Sequence, residues 1–252
     1  MRNSDGLQTY DLSLLNRSLE KWRNSAALRA VYASIFGEMR AHLVGGSILE
    51  IGSGIGMAHA YFPELVTSDI VATEFVDRAI SAYAIPAERW NNIIAIDMLH
   101  HLQEPLRFLE SAAKALVPGG RIVLAEPAGT WWGCHFYRWF HHEPCRSNEV
   151  QPPFSFKTDP DGGFANMGIG FALFNREREA MVATLKQYQL DLISVRYRDL
   201  LAYPATGGFS RSALLPASIL RALLAVEQIL PQFVMRHLGL RMIVVLEKRR
   251  AA

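Results

Sequence analysis

Ser47-Ile48-Leu49-Glu50-Ile51-Gly52-Ser53-Gly54-Ile55-Gly56 is the stretch that decides the fold. Ser47 to Ile51 is mostly apolar and β-compatible, the composition of a strand covered on both faces. Gly52, Gly54 and Gly56 then let the backbone turn tightly and approach a ligand closely, because no Cβ stands in the way. The pattern predicts a buried strand, a glycine-rich turn and a helix. Such a turn sits at the carboxyl end of a parallel strand, where open α/β sheets bind ligands. A dinucleotide fingerprint reads G-x-G-x-x-G and uses its third glycine for close helix packing. Here that third position is Met57, the glycines run G-x-G-x-G, and Glu50 stands two before the first.

Upstream, residues 10–44 read as two N-terminal helices. In the second, Leu28, Val31, Tyr32, Ile35, Phe36, Met39 and Leu43 recur at three- and four-residue steps, one apolar face. Asn24 or Ser25 supplies its cap, and Gly45-Gly46 ends it. Downstream, Leu65 to Asp69 is the second strand. Asp69 falls at its carboxyl end, 17 positions after Gly52. An acidic group there can accept hydrogen bonds from both ribose hydroxyls of an adenosine ligand. Only 21 residues separate Asp69 from Asn91, too few for two helical crossovers of at least ~10–12 residues with a strand between them. A short third strand over Val76 to Ala82 and a loop over Val71 to Phe75 are expected instead. Asn91 to Ile96 is the fourth strand. Pro105 opens a helix with Leu106, Leu109, Ala112, Ala113 and Leu116 on its apolar face, and Pro118-Gly119-Gly120 stops it before a fifth strand, Arg121 to Glu126.

Glu50 and the three glycines resemble motif I, E-x-G-x-G-x-G, of the class I S-adenosylmethionine (SAM)-dependent methyltransferases. Leu99-His100-His101-Leu102 resembles that family's L-H-H-L segment. Leu116-Val117-Pro118-Gly119-Gly120-Arg121-Ile122 is similar to its L-x-P-G-G-x-hydrophobic segment. The resemblance spans residues 47 to 127 and points to a type 11-like, uncharacterised branch. It implies a Rossmann-like α/β fold: a mostly parallel sheet with an antiparallel last strand and helices on both faces. It implies SAM as cofactor. Glu50 is then expected near the cofactor's amino end, and Gly52, Ser53, Gly54 and Gly56 along its tail. Asp69 with Ile70 is expected at the ribose, and the backbone of Asp97 and Met98 at the methionine part. Ser81-Ala82 stands where the family usually has an Asp-Ala pair facing adenine, so the usual carboxylate is missing there. The first N-terminal helix, with Arg17, Lys21, Trp22 and Arg23, is placed over the mouth of the site by the same resemblance. His100 and His101 read as residues that pack and cap a strand-to-helix turn. No metal ligand is assigned.

Two insertions, residues 127–174 and 199–239, are expected to cap the cofactor cleft on the substrate side. Strand-to-helix links are usually ~2–6 residues, and much longer ones tend to be functional. The first insertion carries Trp131, Trp132, His135, Tyr137, Arg138, Trp139, His141, His142, Glu143 and Asn166, with a short helix over Phe136 to Phe140. His141-His142-Glu143-Pro144 resembles an H-x-E-P element of the same branch. His141 is the first candidate general base and Glu143 the second. Asn175 is placed as the cap of a helix running to about Tyr188, followed by a sixth strand, Leu190 to Tyr197. The 216–230 helix is too apolar for a solvated surface. Internal packing, an apolar substrate, and weak membrane-surface or dimer contact all account for it. Arg241 to Glu247 is the last strand.

The 252 residues fit a single domain, 50% hydrophobic and 20% charged, with a formal net charge of +2. No basic stripe interleaved with aromatics points to nucleic acid. Cys134 and Cys145 fit neither a disulfide scaffold nor a zinc site, and read as free thiols. With no signal-peptide pattern at Met1 to Gly6 and no transmembrane run, they point to a cytoplasmic protein. The expected function is methyl transfer from SAM to a small-molecule acceptor, apolar or lipid-linked. An NAD(P)-dependent oxidoreductase and a non-catalytic SAM-binding partner protein are the alternatives. Met57 and the L-H-H-L segment argue against the first.

Overall fold

The computed structural model describes residues 12–141, 143–157 and 164–250. Residues 10 and 11, His142 and the middle of the first insertion lie outside them. Two helices, α1 (Leu12–Asn24) and α2 (Ala26–Ala41), come first. The Ser25 hydroxyl caps α2, accepting from the Leu28 amide at 3.1 Å. Leu28, Val31, Tyr32, Ile35, Phe36 and Met39 are buried at the predicted spacing. Then follow β1 (Ile48–Ile51), β2 (Leu65–Asp69), β3 (Arg78–Ala79), β4 (Trp90–Ile96), α3 (Pro105–Ala115) and β5 (Leu116–Pro127). The first insertion carries α4 (Trp131–Phe140) and α5 (Ile169–Phe171), and leads into α6 (Arg178–Gln187) and β6 (Leu190–Arg198). The second carries α7 (Ala202–Ala205), α8 (Ala217–Gln228) and α9 (Gln232–Leu238), before β7 (Arg241–Lys248).

The seven strands form one sheet in the order β3-β2-β1-β4-β5-β7-β6. β1 pairs in parallel with β2 and β4, and β7 runs antiparallel to both β5 and β6. Alternate residues of each central strand feed two cores, as the two-residue strand period demands. Ile93, Ala95, Ile122, Leu124, Met242 and Val244 pack with α3 and α6. Ile94, Ile96, Val123, Ala125, Ile243 and Val245 pack with α2 and α8 on the other face. This is the fold class expected from the sequence.

Several local expectations are corrected. The glycine turn leads not into a full helix but into a single 3-10 turn, Met57–Ala60. Only eight residues separate Gly56 from β2, and Pro63 among them resists helix. The third strand shrinks to Arg78–Ala79. Just ahead of it the Asp77 carboxylate accepts from the Thr67 amide and hydroxyl at 2.9 and 2.8 Å, so a side chain replaces part of the ladder. Asn175 does not cap α6; its amide donates to the Tyr197 hydroxyl at 2.6 Å, and a π-type turn, Ala172–Arg176, precedes the helix.

The two cysteines are not free thiols. Cys134 on α4 is bonded to Cys145, their Cα atoms 5.2 Å apart. The chain leaves α4 at Phe140 and doubles back, so an 11-residue separation brings the two side chains together. The thiol argument for a cytoplasmic location therefore falls. In the second insertion, Glu227 accepts from the amides of Leu200, Leu201 and Ala202 at 3.0, 2.6 and 2.8 Å. It pins the start of that insertion to α8. Leu220 and Leu224 bury one face of α8, while Ile219, Val226 and Ile229 are exposed. Among the described residues no single helix is long and apolar enough to cross a membrane. Only α8 and α9 taken together, bent by 119°, have the length and composition.

Candidate active site

The carboxyl ends of β1 and β4 open into a cavity of about 590 Å³. Gly52, Ser53 and Gly54 line one end. Phe136, Phe140, His141 and Glu143 of the first insertion and Tyr203, Phe209 and Leu214 of the second line the rest. Leu15 and Ser18 of α1 also reach it, so the first helix lies at the site as expected.

The glycines have distinct duties. Gly52 has φ +74°, and a Cβ there would meet Met98 Cγ at 2.5 Å. Gly54 has φ +54°, with open space where a Cβ would project. Ser53 holds the turn in place: its amide donates to the Ser68 carbonyl at 2.8 Å, and its hydroxyl accepts from the Ser68 amide at 3.0 Å. Asp69 braces the same turn. Its Oδ2 accepts from the Gly54 amide at 2.8 Å and its Oδ1 from the Ile70 amide at 2.7 Å. Each carboxylate oxygen keeps a second lone pair for a further donor.

Of the residues picked out in the sequence, Gly52, Ser53, Gly54, Asp97, His141 and Glu143 line this cavity; Glu50, Gly56, Asp69, Ile70, Ser81, Ala82 and Met98 do not. Glu50 is buried beneath the glycine turn, and its Oε2 has no hydrogen-bond partner. Burial raises its carboxyl to about 7 against the opposing Ser53 hydroxyl, with Asp69 adding to the rise. Ile70 is exposed, and the Ser81 hydroxyl accepts from the Tyr83 amide at 3.3 Å. The cavity thus joins the glycine turn to the two insertions.

Asp97 sits at the end of β4 with φ +52°. It accepts from Arg241 at 2.5 Å and from the Tyr32 hydroxyl at 2.9 Å. The Arg241 guanidinium is buried between the rings of Tyr32 and Tyr203, 5.4 and 5.1 Å from their centroids. Burial and the nearby Asp97 keep the Tyr32 phenol well above its usual range, so it is a neutral donor. Sequence reasoning missed this trio. Tyr32 read as part of an apolar helix face and Arg241 as the first residue of a strand. The available signal was a lone charge at the head of the apolar run Met242 to Leu246.

A second polar cluster stands at the first-insertion end of the cavity. Glu126, fully buried at the end of β5, accepts from the amides of Met98 and Leu99 at 2.9 and 2.7 Å. It also bonds His100 Nδ1 at 2.8 Å. On the far side of His100, Nε2 faces Glu143 Oε2 at 3.5 Å. His101 Nε2 lies 3.7 Å from Glu143 Oε1, and His141 Nδ1 3.7 Å from Oε2. Burial pulls the His100 imidazolium down, but Glu126 and Glu143 override it and hold it well above its usual value. Burial raises Glu143, yet the His100 hydrogen bond and the neighbouring histidines bring it down to about 2. His100 and His101 therefore do more than pack a turn: Glu143 reaches them from 43 and 42 positions away in sequence.

A family model described as a methyltransferase domain matches residues 19–158, more than half of the chain. The chain belongs to that family. No curated protein matches it in sequence. Among solved structures, a SAM-dependent methyltransferase from Archaeoglobus fulgidus aligns with 94% of this chain and 100% of its own, at 13% identity and a TM-score of 0.53. One from Thermotoga maritima aligns with 94% and 99%, at 12% identity and 0.53. At such identities the likeness is one of fold, and it matches the sheet described above.

SAM is the cofactor expected from the sequence, and the residues present fit its tail. The open space over Gly54 gives a ligand backbone-close access from the cavity. A Gly54→Val substitution puts a β-branched side chain into that space at a φ such residues avoid. It is expected to weaken SAM binding roughly 10- to 100-fold, as overpacking by ~1–3 kcal/mol would. Unchanged affinity by calorimetry would remove the glycine turn from the cofactor site.

Proposed function

We propose that this methyltransferase transfers the methyl group of SAM to a small, largely apolar acceptor held between the two insertions. One observation carries the reading. A single cavity runs from the glycine turn to the His141–Glu143 end, and Phe136, Phe140, Phe209, Leu214 and Met167 supply its apolar walls. In this reading the acceptor's heteroatom attacks the methyl carbon in line with the carbon–sulfur bond. That bond breaks, its electron pair returns to sulfur, and the sulfonium loses its charge. The protein's main contribution is alignment of the two partners. His141 takes the acceptor's proton when the acceptor is a hydroxyl, and Glu143, 3.7 Å from its Nδ1, orients the ring. Exposed Trp131, Trp139 and Leu214 extend the apolar surface outward from the same insertions. They favour a lipid-linked acceptor over a strongly polar one, and Ile219, Val226, Ile229 and Phe233 offer a membrane-surface or dimer contact nearby.

The test is incubation with methyl-labelled SAM and cell extract divided into solvent-soluble and aqueous fractions. Label is expected in the solvent-soluble fraction, with the turnover number cut by at least about tenfold in Glu143→Gln. Label in the aqueous fraction alone overturns the apolar acceptor. SAM binding without label in either fraction makes the protein a non-catalytic binder, and binding of NADH in place of SAM returns the oxidoreductase reading.

A further inference from the structure

We propose that His100, His101 and Glu143 form a binding site for one divalent transition-metal ion, best suited to Zn2+, at the acceptor end of the cavity. The site stands on its own geometry; only the use made of the ion rests on the methyltransferase reading. One ligand atom from each of the three residues falls within a sphere where all lie within 4.8 Å of one another. The separations are informative. The contact from His100 Nδ1 to Glu126 is 2.8 Å, the length of a charge-assisted hydrogen bond. The contacts from the two Nε2 atoms to Glu143 are longer, 3.5 and 3.7 Å. Two ligands of a tetrahedral Zn2+ with bonds of about 2.0–2.1 Å stand roughly 3.3–3.4 Å apart. Each Nε2 stands slightly beyond that separation from one Glu143 oxygen, His100 from Oε2 and His101 from Oε1.

The surroundings agree. His100 and His101 are adjacent on one 3-10 turn, Leu99–His101. With three residues per turn, neighbouring side chains on such a turn diverge by about 120°. Here the rings converge instead, their centroids 4.1 Å apart, and both present Nε2 to one carboxylate. Metal-bound histidines typically hold their other nitrogen against a carboxylate or backbone carbonyl, which fixes ring and tautomer. Glu126 does this for His100, and is itself held by two backbone amides. The His101 ring bonds to the Phe164 backbone. Two histidines and a glutamate are a donor set of catalytic zinc centres, which keep a fourth position for substrate. All three residues line the cavity, so that position faces the acceptor.

The ion would bind an acceptor hydroxyl and weaken its O–H bond. His141 takes the proton, the oxygen forms its bond to the methyl carbon, and the carbon–sulfur pair returns to sulfur. The substrate class is thereby narrowed to an apolar alcohol or phenol.

The test uses chelator-stripped full-length protein titrated with Zn2+ by calorimetry and with Co2+ by visible absorption. One ion per chain is expected, with a cobalt spectrum of nitrogen and oxygen ligation. His101→Ala, at a partly exposed position that spares the fold, and Glu143→Gln are each expected to weaken Zn2+ binding at least about 100-fold. Glu126→Gln, acting through His100, is expected to weaken it about 10- to 100-fold. SAM binding should stay within about threefold in all three. Sub-stoichiometric Zn2+, equal binding by His101→Ala and Glu143→Gln, or a sulfur-to-cobalt charge-transfer band overturns the proposal. Zn2+ binding with no SAM binding would overturn the methyltransferase reading and leave the metal site standing.

Discussion

Glu126→Ala is expected to destabilise the protein by roughly 3–5 kcal/mol, the cost of breaking a buried charged pair by removing one partner. The carboxylate has no exposed surface and three donors converge on it: the amides of Met98 and Leu99 and the His100 ring. Alanine leaves all three without an acceptor, in a place water does not reach. At ~2–4 °C per kcal/mol for a chain of this size, the midpoint should fall by on the order of 10 °C. Glu126→Gln keeps one acceptor oxygen and should lie between alanine and the native protein. Urea denaturation checks this, read as a shift in midpoint at constant slope. A loss below about 1 kcal/mol for alanine would mean that the turn after β4 is held by packing alone.

Glu50 should respond in the opposite sense. Its carboxyl is raised from 4.5 to about 7, chiefly by burial. Between those values the folded protein holds a proton that the unfolded chain has lost, so stability falls as pH rises through that window. Above it the ionised, buried carboxylate costs about 3 kcal/mol at ~1.4 kcal/mol per unit. Glu50→Gln is neutral at every pH. It is expected to match the native protein near pH 4.5, exceed it by about 3 kcal/mol at pH 8, and flatten the profile between. Thermal unfolding from pH 4.5 to 8 gives the measurement, and parallel profiles for the two proteins would refute the assignment. A stabilising loss of charge directly beneath the glycine turn is what a site held ready for a cationic ligand would show.

The glycine turn and the strand ends around it were readable in the sequence because they are local. Glu50 through Gly56 is one continuous turn, and Asp69 and Asp97 each end a strand whose apolar run announces it. Helix α2 was equally plain, since its cap and buried face repeat at fixed steps. What failed to show was whatever depends on distance along the chain. Arg241 meets Asp97 across 144 positions, and Glu143 meets His100 across 43. No period or spacing encodes either meeting. The missing helix after Gly56 is a different kind of miss. The glycine pattern is that of a turn entering a helix, but eight residues with a proline leave room for one turn only. The disulfide was missed because composition argues from the number of cysteines, whereas the bond depends on α4 doubling back.

The place of β7 has a consequence for how the molecule comes into being. This strand lies between β5 and β6, with Arg241 to Leu246 buried. Until residue 248 has been made, β5 ends the growing sheet with an open edge. The ribosome adds roughly 5–20 residues per second, so the residues from 128 to 248 keep that edge exposed for on the order of ten seconds. An apolar edge such as Ile122 to Ala125 is then a template for pairing with another nascent chain. Arg241 arrives on the strand that closes the gap, so the Asp97 end of the cavity is completed in the same event as the sheet. A chain that binds its cofactor tail has therefore already escaped its most hazardous interval.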